Sequence, residues 1–126
     1  MRTAHERNLA ALAFVLSIVT ATTAASKDES GAFEVTGTIS CENWVIYRNQ
    51  MGWEEAGAEA WISGFMTAFN FATTSLYSIR GNVDHQDIYL WMDKYCQANP
   101  LNNIAFGMAE LVAELWPNRV VKAPND

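Results

Sequence analysis

The chain has 126 residues, a formal net charge of −6, 50% hydrophobic residues and two cysteines. Length and composition suit one domain of modest size. The acidic balance argues against nucleic acid and anionic membrane as partners, since both are bound by Lys and Arg that displace counterions; it suits a basic partner.

Residues 1–25 read as a segment outside the fold. Arg2, His5 and Arg7 make a positive start, residues 9–19 are an apolar run of 11, and the small residues 21–25 offer a cleavage site after Ala24 or Ala25. That is the layout of a secretory signal peptide. A spanning helix needs about 20 apolar residues, so no membrane span is expected after cleavage. The expected location is periplasmic or secreted. From Ser26 onward there are six Lys/Arg against 13 Asp/Glu, a net charge of −7.

Both cysteines, Cys41 and Cys96, lie in this part, and export would deliver them to an oxidising compartment. They are most simply one disulfide. The alternative is two buried free thiols. Two Cys and one His do not fill the four positions of a zinc site at usual spacings, so no metal is expected.

Residues 26–39 are polar and Gly-containing and predict a flexible lead-in, in which Phe33 and Val35 suit a short extended piece. Ser40 is a natural N-cap for a first helix running to about Met51, with Cys41, Trp44, Val45 and Arg48 near one face. Gly52 breaks it. A longer helix is predicted from about Trp53 to about Leu76, with an apolar stripe of Ala58, Trp61, Ile62, Phe65, Met66, Phe69 and Ala72. Gly57 and Gly64 lie seven apart on it and suggest closely approaching helices, because each costs roughly 0.5–1 kcal/mol against Ala. Residues 78–83 predict a loop. A third helix begins near Asp84, with Asp87 in capping position and Ile88, Trp91, Met92, Tyr95 and Cys96 facing inward. Asn99-Pro100 predicts the start of the last helix, Asn as N-cap and Pro at the first helical position. That helix is expected to bury Leu101, Ile104, Ala105, Met108, Leu111, Val112 and Leu115, and Pro117 stops it. The expected division is residues 1–25 signal, 26–39 lead-in, 40–117 helical domain and 118–126 tail. The fold class is all-α, a compact bundle of about four helices closed by one disulfide.

Nothing in the sequence predicts catalysis or a cofactor. His85 is the one histidine after residue 25; flanked by Asp84 and Asp87, it reads as an exposed first-turn residue rather than an acid–base group. No serine has nucleophile-elbow context, and Glu54 and Glu55 are adjacent and point apart. The five tryptophans are more informative. Trp44, Trp61 and Trp91 fall on predicted core faces. Trp53, Tyr89 and Trp116 do not, and are the expected partner-binding aromatics. Asn70, among apolar neighbours, is expected to be buried and hydrogen-bonded.

Two short motifs carry a resemblance. Ser40-Cys41-Glu42-Asn43-Trp44, with Tyr95-Cys96, Asn99-Pro100 and Asn103, resembles the HdeA/HdeB family of small periplasmic acid-stress chaperones, which show T-C-E-D/E-F-like and Y-C-x-x-N-P-like segments. The segment from Trp61 to Phe65 (WISGF) is similar to the W-x-x-G-[YF] segment of a wider set of exported helical proteins. These include the Tai/Rap-type immunity proteins that neutralise secreted amidase effectors. The first resemblance implies an HdeA-like fold with Cys41 joined to Cys96. It also implies a homodimer that comes apart in acid and holds unfolded clients on exposed apolar surface. Protonating 13 carboxylates would swing the net charge from −7 to roughly +8, and self-repulsion would loosen the body. The second resemblance implies one specific exported partner. The expectation is a non-catalytic binding protein, chaperone-like or, alternatively, an inhibitor of a secreted effector.

Overall fold

A computed structural model describes residues 30–125. The expected signal segment and residues 26–29 of the lead-in lie outside the described residues. Four helices follow in chain order: α1 (Cys41–Gln50), α2 (Trp53–Ala72), α3 (His85–Ala98) and α4 (Ile104–Leu115), with a 3-10 turn at Trp116–Asn118. The described residues form no β-sheet, and none of their helices is long and apolar enough to cross a membrane.

One end of the bundle is a clip. The Ser40 hydroxyl accepts from the Asn43 N–H and caps α1. The Cys41 N–H donates to the Asn102 carbonyl at 2.9 Å, and the Ile104 N–H donates to the Ile39 carbonyl at 3.0 Å. The starts of α1 and α4 therefore lie side by side, and the Cys41–Cys96 disulfide ties the end of α3 to them. Cys41, Trp44, Ile88, Met92, Tyr95, Cys96, Ile104, Met108 and Leu111 form the buried centre around this clip.

The Asn99-Pro100 joint works differently from the expectation. Asn99 ends α3, where its backbone N–H and its side-chain Nδ2 both donate to the Tyr95 carbonyl. The cap of α4 is Asn103, whose Oδ1 accepts from the Ala105 and Phe106 N–H groups. Two free N–H groups take one side-chain oxygen, which is the stronger cap. Residues 100–103 form the turn, and Leu101, expected inside, is 99% exposed.

The long helix α2 stops at Ala72 rather than near Leu76. Thr73 and Thr74 are β-branched, and Ser75 adopts a left-handed conformation (φ 59°), so the chain leaves the helix and turns Leu76 and Ile79 inward. Only Ala58, Ile62 and Met66 of α2 are fully buried. Beside them Trp61, Phe65 and Phe69 stack along the helix at 5.7 and 6.3 Å, and Phe69 meets the edge of Trp116 at 6.5 Å. Ala72, the last residue of the expected stripe, is exposed.

Gly57 and Gly64 do not mark a close approach. A Cβ built at either meets nothing within 4 Å. The tight glycine is Gly107, where a Cβ would lie 2.6 Å from Met92 Sδ and 2.8 Å from Tyr95 Cδ1. Here α4 rests directly on α3.

Residues 118–125 are not a free tail. The Tyr77 and Ser78 N–H groups both donate to the Val120 carbonyl at 2.9 Å, and the Val120 N–H returns to the Ser78 carbonyl at 2.8 Å. The 78–83 segment is a loop as expected, but one stitched to the C-terminal residues. Ile79 within it is fully buried, and its N–H donates to Asn70 Oδ1 at 2.8 Å. Asn70 thus makes the hydrogen bond expected of it, from a half-buried position.

Candidate protein-binding surface

The corner between α1 and α2 places large apolar side chains in solvent. Met51 ends α1 in a left-handed conformation (φ 45°), and Gly52 starts α2 with no side-chain cap. A non-glycine residue there costs about 1–3 kcal/mol. The turn leaves Met51 84% and Trp53 90% exposed, with Glu54 and Glu55 in the turn that follows.

Beneath this corner lies an ion cluster that joins three helices. Arg48 of α1 reaches Glu55 Oε1 at 2.8 Å and Glu59 Oε1 at 3.0 Å, both on α2, and Asp93 Oδ1 of α3 at 3.0 Å. Its Nη2 adds a longer bond to Asp93 Oδ2 at 3.3 Å, and Trp44 Nε1–H donates to Asp93 Oδ1 at 2.8 Å. The guanidinium carbon sits 5.7 Å from the Trp44 ring and 5.8 Å from the Tyr89 ring, so the cation also meets two π faces. All four charged side chains are mostly buried. The Asp93 hydrogen bond raises the Arg48 pKa above its ordinary value. Burial, followed by the charge of Glu55, pushes the Glu59 carboxyl above the usual carboxylate value, against the pull of Arg48. Three carboxylates around one guanidinium leave the cluster short of positive charge.

Arg48 was legible only as a residue near the α1 face. A signal for the cluster did exist: Glu55 and Glu59 are like charges four apart on a helix, a pair that is destabilising without a cation. The helix break at Gly52 folds Arg48 back over that pair.

The three expected partner-binding aromatics are placed differently. Trp53 stands free at the corner. Trp116 is exposed (39%) as expected, with Arg119 stacked 4.2 Å over its ring and Phe69 in an edge-to-face contact. Tyr89 corrects the expectation of an exposed ring: it is 6% exposed and belongs to the core, packed near Trp44 and stacked on His85. Its position three residues before Met92 puts it on the inward face of α3. Of the expected core tryptophans, Trp44 is fully buried. Trp91 is partly buried, lies flat on Tyr95 and donates to Glu114 Oε2 at 2.9 Å.

Other exposed apolar side chains were not singled out by the sequence. Phe71 stands out near the end of α2. Ile46 and Leu101 flank a shallow groove of about 610 Å³ whose floor includes Cys41 and Cys96. His85 is exposed at the start of α3 and lines a separate cleft with no Asp or Glu in its walls among the described residues. Among the described residues, no group of three or more His, Cys, Asp or Glu is placed to hold a metal ion; the acidic trio around Arg48 encloses a guanidinium instead. The chain was compared with protein-family models, curated proteins and solved structures, and it matches none of them.

Proposed function

We propose that this is an exported, non-catalytic protein that binds other proteins through exposed apolar side chains, as an acid-type, chaperone-like holdase. The observation that carries the reading is the exposure of Met51, Trp53, Phe71 and Leu101. These large apolar side chains stand in solvent at three places, the α1–α2 corner, the end of α2 and the α3–α4 turn, on a body whose core is closed by a disulfide. Apolar contact area spread over several faces suits loosely specified clients, with Trp53 the strongest single anchor. The disulfide supports an oxidising, exported setting.

The Arg48 cluster supports an acid response with a threshold. A proton on Glu59, whose pKa is raised by burial and by Glu55, relieves crowding. With all three carboxyls neutral, Arg48 has no ion-pair partner and is left a mostly buried, uncompensated cation, which is costly. The joint between α1, α2 and α3 then loosens while the disulfide holds α1 to α3.

The immunity-type reading is favoured by one feature, the Met51–Trp53 corner. An aromatic anchor beside exposed Glu54 fits an apolar pocket with a basic rim on one specific exported partner. The test separates the two. At about pH 2–3, below the ordinary carboxylate range, the protein should suppress aggregation of unrelated proteins, and Trp53→Ser should weaken this without changing the helical spectrum. No suppression at any pH removes the holdase reading. A neutral-pH pull-down that recovers one dominant exported protein in a stable complex establishes the inhibitor.

A further inference from the structure

A cleft of about 540 Å³ lies between α2, the 77–82 segment, the first turn of α3 and the returning C-terminal residues. Its size falls in the range of small-molecule sites, about 300–1,000 Å³. Its charge runs against the rest of the molecule. The chain from Ser26 carries 13 carboxylates against six Lys/Arg, yet among the described residues this cleft is lined by Arg80 and His85 and by no carboxylate. We infer that it binds a small carboxylate with an apolar body.

The walls are held in place before any ligand arrives. Arg80 Nη1 donates to the Val83 carbonyl, which fixes the guanidinium at the mouth of its own loop. No ion pair engages Arg80 among the described residues. The loop is pinned on one side by the Ile79 N–H to Asn70 Oδ1 bond and on the other by the Val120 pairing. Gly81 sits at φ +59°, where a Cβ would meet the Asn118 carbonyl oxygen at 2.7 Å. Asn70, Tyr77 and Ser78 line the cleft; with Asn70 Oδ1 taken by the Ile79 N–H, the polar groups these side chains can offer are an amide NH2 and two hydroxyls. Several lining donors, a guanidinium with no ion pair and no acid among the described residues of the walls are the recognition chemistry of a carboxylate. Met66, Val120 and Pro124 supply the apolar wall for the remainder of the ligand.

Two sources share this chemistry, a free organic acid and the C-terminus of a peptide. The probes are N-acetylphenylalanine, its primary amide, a tripeptide with a free C-terminus and inorganic phosphate. Each is titrated into the full chain with its disulfide formed and followed by amide NMR shifts. The expected result is saturable shifts in residues 63–70 and 77–85 with a carboxylate and none with the amide. The acid that binds more tightly identifies the source. Arg80→Gln should weaken binding about tenfold or more, the worth of a charge-assisted hydrogen bond, with thermal midpoint checked in parallel. Equal shifts with acid and amide, shifts with phosphate alone, or no saturable shift would overturn the inference. The comparison of acid with amide uses the unaltered chain and stands even if Arg80→Gln unfolds. Neither result bears on aggregation suppression.

Discussion

Gly107 and Gly64 are both helical glycines, and they divide the molecule. A Cβ at Gly107 would collide with Met92 and Tyr95, whereas one at Gly64 would stand in open space. Around Gly107, α3 and α4 pack without slack, and the disulfide and the Cys41–Asn102 and Ile104–Ile39 hydrogen bonds close the same end. The α2 side is built otherwise. It buries a narrow stripe, adds a partly exposed ladder of stacked rings and is joined to α1 and α3 through Arg48. The clipped end depends on shape, and the α2 side depends on charge. A change of pH therefore acts mainly on one half.

The largest test removes the clip. Replacing Cys41 and Cys96 together by Ala should cost about 4 kcal/mol, from the loop entropy released to the unfolded chain, across a sequence separation of 55. Equilibrium urea unfolding measures it; a loss below about 1 kcal/mol would mean that packing alone holds this end. Next is Arg48→Met, expected to cost roughly 2–3 kcal/mol at neutral pH, since it strands three mostly buried carboxylates. The loss should shrink in acid. Uncompensated carboxylates have raised folded-state pKa values, so their burden appears as pH rises and vanishes as they are protonated. An Arg48→Met loss that stays constant with pH would place the residue's value in its ring contacts with Trp44 and Tyr89 instead.

The glycine contrast can be broken directly. Gly107→Ala should destabilise by about 1–3 kcal/mol through overpacking. Gly64→Ala should stabilise by roughly 0.5–1 kcal/mol, because the helix gains propensity and nothing is in the way. Thermal midpoints of the two variants moving in the same direction would remove the distinction between the halves.

Much of this architecture was legible, for local reasons. Ser40 and Asp84 cap α1 and α3 as their sequence positions predict, and the disulfide pairs Cys41 with Cys96. What was hidden depends on distant chain segments meeting. Asn103, not Asn99, caps α4, since both asparagines suit a cap and only the turn between them decides which faces free N–H groups. Tyr89 is inside because α3 is covered on that side by Trp44 and Arg48. Gly57 and Gly64 looked like contact residues by spacing, while Gly107, solitary in its helix, is the real one. The Arg48 cluster joins residues from three helices, and helical periodicity does not report which charges will converge.

The smallest expected effect distinguishes best between the two halves. Burial and Glu55 raise the Glu59 pKa in the folded state. A group so shifted contributes stability that is complete below its unfolded pKa and is lost as pH rises through the folded value. Ionised Glu59 therefore weighs on the fold at neutral pH, even while it accepts a hydrogen bond from Arg48. At neutral pH Arg48 has the opposite consequence: its raised pKa, held up first by Asp93, gives stability there that a rise in pH removes only in strong alkali. Glu59→Gln should accordingly raise the urea midpoint at about pH 7 by no more than ~1 kcal/mol in stability. It should leave the midpoint unchanged well below the carboxylate range. If Glu59→Gln instead destabilises at neutral pH, the Arg48–Glu59 bond outweighs the crowding. The Glu59 contact would then help to lock the α2 side, and protonating Glu59 would itself loosen it.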